Sequence, residues 1–517
     1  MGLEVPILCE PVYPGDRFRI GLTYQMQLAP MMNPVYDSLE VNFEAFFVPY
    51  RIIDPMFKEF WTGYNEYDQM TPTDIAPLTI TRFFLGAGST DGGISTWEKG
   101  LNNPIGIGSL FDFLGYQFSS HFTNGLPAVP AASSFQVAYD LNINAYPFIA
   151  YARIYDDWYR NERTQPALLY NYYNQREYSF RSFEYEYRYE NGEFSKVGLA
   201  GPDIRLFSRN YKRDRFTTAL PEPVIGGDVH IPVNNALNAT EPVIENTMNN
   251  AVIVGSDGNG YNLNTLALGT IEQLKFAFKE YSYRMKDTYN GNRYVESIDS
   301  HFGIRVPDST LQRSLYLGSA RDYVNFGEVY QTSSGDGNAA QGALGDYAGR
   351  GMASGSEFLF DEEFYEPGLV MILMCVTPMN RYFQGVKRLF TRFDRDDYFS
   401  PEYQNIGDDF IRNDELYNDP SSAIGANAFG FNSRWIELKT RYNELHGDFA
   451  NTNGNNPLNR WNFSRSFGAT PTISSEFSRI EPINKPFFDS DKRNDNYFVD
   501  IAFNFDALRP VLATESF

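Results

Sequence analysis

A chain of 517 residues with 42% apolar residues can bury a large core, which excludes wholesale disorder. Its 43 Lys plus Arg against 65 Asp plus Glu leave a formal charge of −22, so the surface as a whole does not grip nucleic acid or an anionic membrane, although a local basic patch stays open. With 43 Phe, 36 Tyr and 5 Trp the aromatic share reaches 16%, a composition suited to strands and contact surfaces.

The first strand signal follows the turn Pro14-Gly15-Asp16, where Phe18, Ile20 and Leu22 alternate with Arg17, Arg19 and Gly21. Leu39, Val41, Phe43, Ala45 and Phe47 then share one face and Glu40, Asn42 and Glu44 point away, which predicts a half-buried strand of a sandwich or barrel. Asp54 before Pro55 marks a short helix start. After Pro147, Phe148, Tyr151, Tyr155 and Trp158 recur at helical spacing. Phe183, Tyr185, Tyr187 and Tyr189 alternate with polar residues up to Asn191-Gly192, whose type I′ turn predicts a hairpin returning through Phe194 and Val197.

Residues 222–265, rich in Asn, Gly, Val and Thr, read as a long surface excursion. Thr270 and Gln273 form a capping box that opens a helix ending at Asn290-Gly291. Its Ile271, Leu274, Phe278, Tyr281 and Met285 predict an amphipathic face packed on a sheet. Residues 331–356 read as a small-residue loop. The apolar run 369–376, between Pro367-Gly368 and Pro378, predicts a strand buried on both faces. Tyr497, Val499, Ile501, Phe503 and Phe505 repeat the period-2 pattern, so long strands near both ends fit an antiparallel sandwich in which they lie close together. No segment reads as a flexible linker, and residues 1–517 are expected to form a single domain.

Catalytic patterns are missing. Cys9 and Cys375 build neither a disulfide framework nor a Cys-rich zinc site. With no signal-peptide pattern and no apolar run near the ~20 residues that span a bilayer, the chain reads as soluble, in a reducing compartment, without a membrane anchor. His121, His230, His301 and His446 are scattered, and no phosphate-binding, dinucleotide or GxSxG motif occurs, so no cofactor, metal or catalytic residue is expected. Asp361-Glu362-Glu363 with Glu366, and Asp394 with Asp396-Asp397, are the densest acidic groups; a hydrolase pair or calcium site is conceivable, solvated loops are the simpler reading. Asp489-Ser490-Asp491 opens like a calcium loop but has Asn494 where Gly is needed.

Basic residues cluster twice among aromatics. Arg209, Lys212, Arg213 and Arg215 flank Tyr211 and Phe216; Lys387, Arg388, Arg392 and Arg395 flank Phe390 and Phe393. Cations for phosphates beside rings for stacking are what a single-strand binder uses. Pairing inside the fold, with neighbours such as Asp214, Asp394 and Asp396, is the plainer alternative.

Several ordered strings carry more weight together: LFDFLG at 110–115, NAYPFIAYARIYDDWYR at 144–160, DRFTTALPEP at 214–223, His301-Phe302-Gly303 followed by Leu311-Gln312-Arg313 and Tyr316-Leu317-Gly318, FGFNSRWIEL at 429–438, and Arg509-Pro510. Their order and spacing resemble the major capsid proteins of the Microviridae, of the gokushovirus-like branch. The resemblance implies a mainly β fold: an antiparallel eight-stranded β-jelly roll of the viral capsid type, with long loop and helical insertions. It implies a structural protein of the virion, assembled in the bacterial cytoplasm, sixty copies of which close a T=1 shell around a circular single-stranded DNA genome. Further expected partners are a small basic DNA-packaging protein and a pilot or spike-type minor virion protein. The 222–265 segment is expected to project as a host-recognition protrusion at the threefold axis. Arg209, Lys212, Arg213, Lys387, Arg388 and Arg392 are the candidate DNA-facing residues. A β-rich carbohydrate-binding or glycoside-hydrolase protein is the competing reading.

Overall fold

The computed structural model describes residues 1–62, 77–87, 104, 108–116, 137–169, 182–190, 193–197, 203–222, 252–254, 260–262, 271–290, 294–304, 307, 312–330, 347–403, 407–419, 427–452, 458–488 and 495–511. They fall into two compact units, Met1–Leu220 with Pro307–Phe517, and Pro221–Val306. The sequence pattern offers no boundary at these points.

The larger unit is built on strands β1 (Val5–Val12), β2 (Arg17–Leu28), β3 (Leu39–Pro49), β4 (Thr79–Ala87), β5 (Val137–Asn144), β6 (Ser182–Glu190), β7 (Glu193–Val197), β8 (Leu315–Tyr323), β9 (Asn325–Tyr330), β10 (Tyr347–Glu363), β11 (Gly368–Pro378) and β12 (Tyr497–Leu508). Two antiparallel sheets of four strands, ordered β1-β11-β3-β8 and β9-β10-β2-β12, share one core. Phe18, Ile20, Leu22, Tyr24 and Met26 of β2 meet Leu39, Val41, Phe43, Ala45 and Phe47 of β3 there, which is what period-2 alternation in both strands requires. As expected, β12 pairs antiparallel with β2, from Tyr497 opposite Leu28 to Leu508 opposite Arg17.

The first sheet is covered on its other side as well. Helix α1 (Tyr146–Ile154), continued by a wider π turn at Tyr155–Tyr159, packs Phe148, Tyr151 and Tyr155 with Phe46, Val48, Met371 and Leu373. A third sheet, β5-β4-β6-β7, borders this core; β6 and β7 form the expected hairpin, while β4 and β6 run parallel. Two-sided cover explains why all eleven residues of β11 are buried. It also corrects the reading of β3. Glu40, Asn42 and Glu44 do not face water: Glu40 and Glu44 are buried against Lys212 and Arg209, and Asn42 donates to the Thr377 hydroxyl at 3.1 Å.

Residues 347–356, expected in a loop, are the first part of β10. Their small side chains serve close approach. A Cβ on Gly351 would stand 2.4 Å from Leu28 Cδ1, and one on Gly349 would stand 2.5 Å from the Asn33 carbonyl oxygen. Near the predicted start at Asp54, a helix forms at Phe57–Thr62 and the Asp54 carboxylate accepts from the Met56 N–H at 3.0 Å.

In the smaller unit, Val252–Val254 and Gly260–Asn262 form a short antiparallel hairpin, and α2 (Ile271–Asn290) precedes α3 (Tyr294–Phe302). The helix is where the capping box places it, although Thr270 itself lies outside the described residues. Of the predicted apolar face Phe278 is 63% exposed while Tyr281 and Met285 are half-buried, and Ala277 and Thr288 of the same helix are buried. His301 stacks on Tyr283 and lies 2.7 Å from Asp287 Oδ1, a structural pairing within the helical pair. His121, His230, the Asn191-Gly192 turn and Asp489-Ser490-Asp491 lie outside the described residues.

Candidate functional site

The chemistry-bearing groups gather at the two basic clusters, and the fold treats them differently. Around Arg209 the backbone is zipped into the larger unit: Arg209 N–H donates to the Gly2 carbonyl at 2.7 Å, and Ile480 N–H donates to the Arg209 carbonyl at 2.8 Å. Tyr151, fully buried, donates to the Glu4 carbonyl at 2.8 Å and accepts from Phe207 N–H at 3.0 Å. This fixes the Arg209 guanidinium between two carboxylates, 2.8 Å from Glu44 Oε1 and 3.4 Å from Glu4 Oε1. Tyr159 donates to the other Glu44 oxygen, and Lys212 pairs with Glu40. Two buried carboxylates share one guanidinium, so one of them resists ionisation: burial pushes the Glu4 carboxyl up to about 8, against the pull of Arg209.

The second cluster sits beside a small core of Phe216, Tyr382, Ile411, Leu416, Phe429 and Phe477. Arg388 lies 3.0 Å from Asp409 Oδ2 and 3.4 Å from Glu415 Oε1, and Arg392 lies 3.0 Å from Glu437 Oε1. Lys387 pairs with Glu444, which also faces His446 at 2.9 Å. Arg215, read with the first cluster, belongs here: it is buried, 2.6 Å from Glu415 and 3.6 Å from Glu437. Burial raises the Glu415 carboxyl, and Arg215 and Arg388 oppose that rise.

Of the six candidate DNA-facing residues, Arg209, Lys212, Lys387, Arg388 and Arg392 therefore each have a carboxylate partner within the chain. Arg213 is exposed. The partners come from distant strands and turns, so only Asp214, Asp394 and Asp396 were visible as neighbours, and none of these is the partner found. The dense acidic groups are held singly. Asp361 takes a bidentate contact from Arg17 at 2.8 and 3.0 Å, Glu366 accepts from Arg51, and Asp397 accepts the Phe393 and Asp394 N–H groups. Among the described residues no group of three or more His, Cys, Asp or Glu could hold a metal ion. What the sequence pattern missed is an exposed apolar surface: beyond Phe390 and Phe393, Leu389, Tyr398 and Phe399 are also open to solvent.

An ion-paired sandwich with open apolar surface suits a scaffold protein. A family model described as capsid protein (F protein) matches residues 1–83 and 130–516, and the chain belongs to that family. It is similar to capsid protein VP1 of Chlamydia phage 1, 26% identical with 99% of this chain and 92% of that one covered. Capsid protein VP1 of Bdellovibrio phage phiMH2K is likewise 26% identical, covering 98% and 90%, and that of Spiroplasma virus 4 is 23% identical, covering 99% and 91%. The resemblance to the Microviridae holds. The chain is a structural major capsid protein and not an enzyme, its place is the virion, and the carbohydrate-active reading is not favoured. Among the described residues no helix is long and apolar enough to cross a membrane.

Proposed function

We propose that sixty copies of this chain, each an eight-stranded jelly roll, close a T=1 shell around a circular single-stranded DNA genome. The observation that carries the reading is the pair of facing four-stranded sheets. β1, β2 and β3 alternate between them, as the crossing connections of a jelly roll do. Shells assemble in the bacterial cytoplasm in this reading. Expression of the chain alone followed by electron microscopy tests it: uniform icosahedral particles are expected, and a monodisperse monomer at all concentrations overturns it.

DNA is held in two ways under this proposal. The phosphates need neutralisation that a subunit of charge −22 does not give on average, so a small basic packaging protein supplies most of it. Arg213, with the more open Lys212 and Lys387, supplies the rest, while Arg209, Arg388 and Arg392 serve mainly the fold. Particles with Arg213→Gln and Lys212→Gln should retain less DNA at raised salt. A minor pilot or spike-type protein completes the particle in this reading.

Residues 222–265 form a trimeric protrusion at the threefold axis that recognises the host. Support comes from the exposed rings of the same unit, Phe276, Phe278 and Phe302, which suit burial against neighbouring copies. Deleting 222–265 should abolish adsorption to the host and leave shells intact; unchanged adsorption overturns the role.

A further inference from the structure

In the larger unit the segment 387–403 carries a run of exposed apolar side chains. Within it Leu389, Phe390, Phe393, Tyr398 and Phe399 are exposed, Phe393 to 81% and Phe390 to 68%. Single exposed rings are ordinary, whereas a run of them marks a contact surface. The rings are held on turns, not on a loose arm. One turn of 3₁₀ helix spans Arg388–Thr391, and a second at Arg395–Asp397 is closed by a reciprocal capping box from Asp394 and Asp397. Val386 N–H donates to the Asp414 carbonyl at 2.8 Å, and Arg388 and Arg392 anchor the segment to Glu415 and Glu437.

We propose that this segment is a subunit–subunit contact whose occupant is a second copy of this chain, an inference that rests on the shell reading above. The charges select the occupant. Lys387, Arg388 and Arg392 are already engaged by Glu444, by Asp409 and Glu415, and by Glu437, and the segment adds Asp394, Asp396, Asp397 and Glu402 of its own, so a nucleic-acid strand meets no surplus of positive charge beside the rings. A second copy needs none: it can cover the rings with apolar surface of its own, as subunits of a shell do. Rings fixed on short turns also lose little freedom on docking.

The test uses the full chain with Phe390→Ser/Phe393→Ser, and the apolar control Phe393→Leu. Sedimentation velocity over a concentration series and electron microscopy read assembly; thermal melting of free subunits reads the fold. The double variant should melt as the parent does and lose at least tenfold in assembled yield, while F393L assembles. If the double variant is insoluble, Phe393→Lys alone, at the most exposed ring, should give the same loss. Parent and double variant both forming shells at equal yield overturns this inference and leaves the shell reading standing. Shells that form normally but lose single-stranded DNA assign the surface to the genome and overturn it too. A parent that stays monomeric throughout overturns both.

Discussion

The segments 209–216 and 387–393 are alike in sequence, cations interleaved with rings, yet the fold puts them to opposite use. In the first, Tyr211 and Phe216 are 4% and 1% exposed and Arg209 lies over carboxylates of a central strand. In the second, the cations fold back onto carboxylates and the rings stay outside. The local pattern sets what each segment can do; the surrounding fold decides what it does. In both clusters arginines turn toward carboxylates, Arg209 to Glu44 and Arg388 and Arg392 to Glu415 and Glu437; what differs is the rings, covered in the first segment and open in the second.

The sharpest test of this contrast is Arg209→Met in the free subunit. It leaves Glu44 buried without its guanidinium, and urea unfolding should show a loss of ~3–5 kcal/mol. A cost no larger than that of a surface pair breaks the comparison. Next, Phe216→Ala should cost ~3–5 kcal/mol as a cavity in the small core. Phe393→Ala should change subunit stability by no more than ~0.5 kcal/mol, its ring touching solvent. Equal losses at the two rings remove the distinction.

The pH dependence reports on the first cluster through Glu4. Folded, Glu4 keeps its proton to about 8, whereas the unfolded chain releases it near 4.5. Between these values the folded state binds more protons, so the Glu4 contribution to stability falls as pH rises from about 4.5 to about 8. Glu4→Gln should flatten that slope, measured as urea midpoints at pH 5 and pH 8. The smallest effect belongs to Lys387→Met. Its pair with Glu444 is half open to solvent, and its loss should cost under ~1 kcal/mol and disappear at high salt.

Much of the scaffold was legible because it is written in local periodicity. The alternation in 17–22, 39–47 and 497–505 gave strands β2, β3 and β12, the apolar run 369–376 gave β11, and the 183–197 pattern gave the hairpin. What failed depended on distant partners. Glu40 and Glu44 looked solvent-facing because nothing nearby says that Arg209 and Lys212 will cover them. The glycines of 347–356 looked like a loop because their purpose, close passage of Leu28 and Asn33, lies in another strand's sequence. Phe278 sits on a well-marked helix, but the spacing of its stripe does not say that the unit leaves that ring open. The basic clusters were found and their partners were not, for the same reason.

The register of β2 has a consequence for biosynthesis. On one side it pairs with β10 and on the other with β12, both supplied from far downstream in the chain. A ribosome releases β2 long before either partner exists, and its alternating Phe, Ile, Leu and Met side chains must wait uncovered. Pairings this remote in sequence form slowly and late. The sandwich, and any surface that depends on it, matures only after nearly the whole chain has emerged. The waiting strand becomes the place where chaperones or aggregation compete with folding.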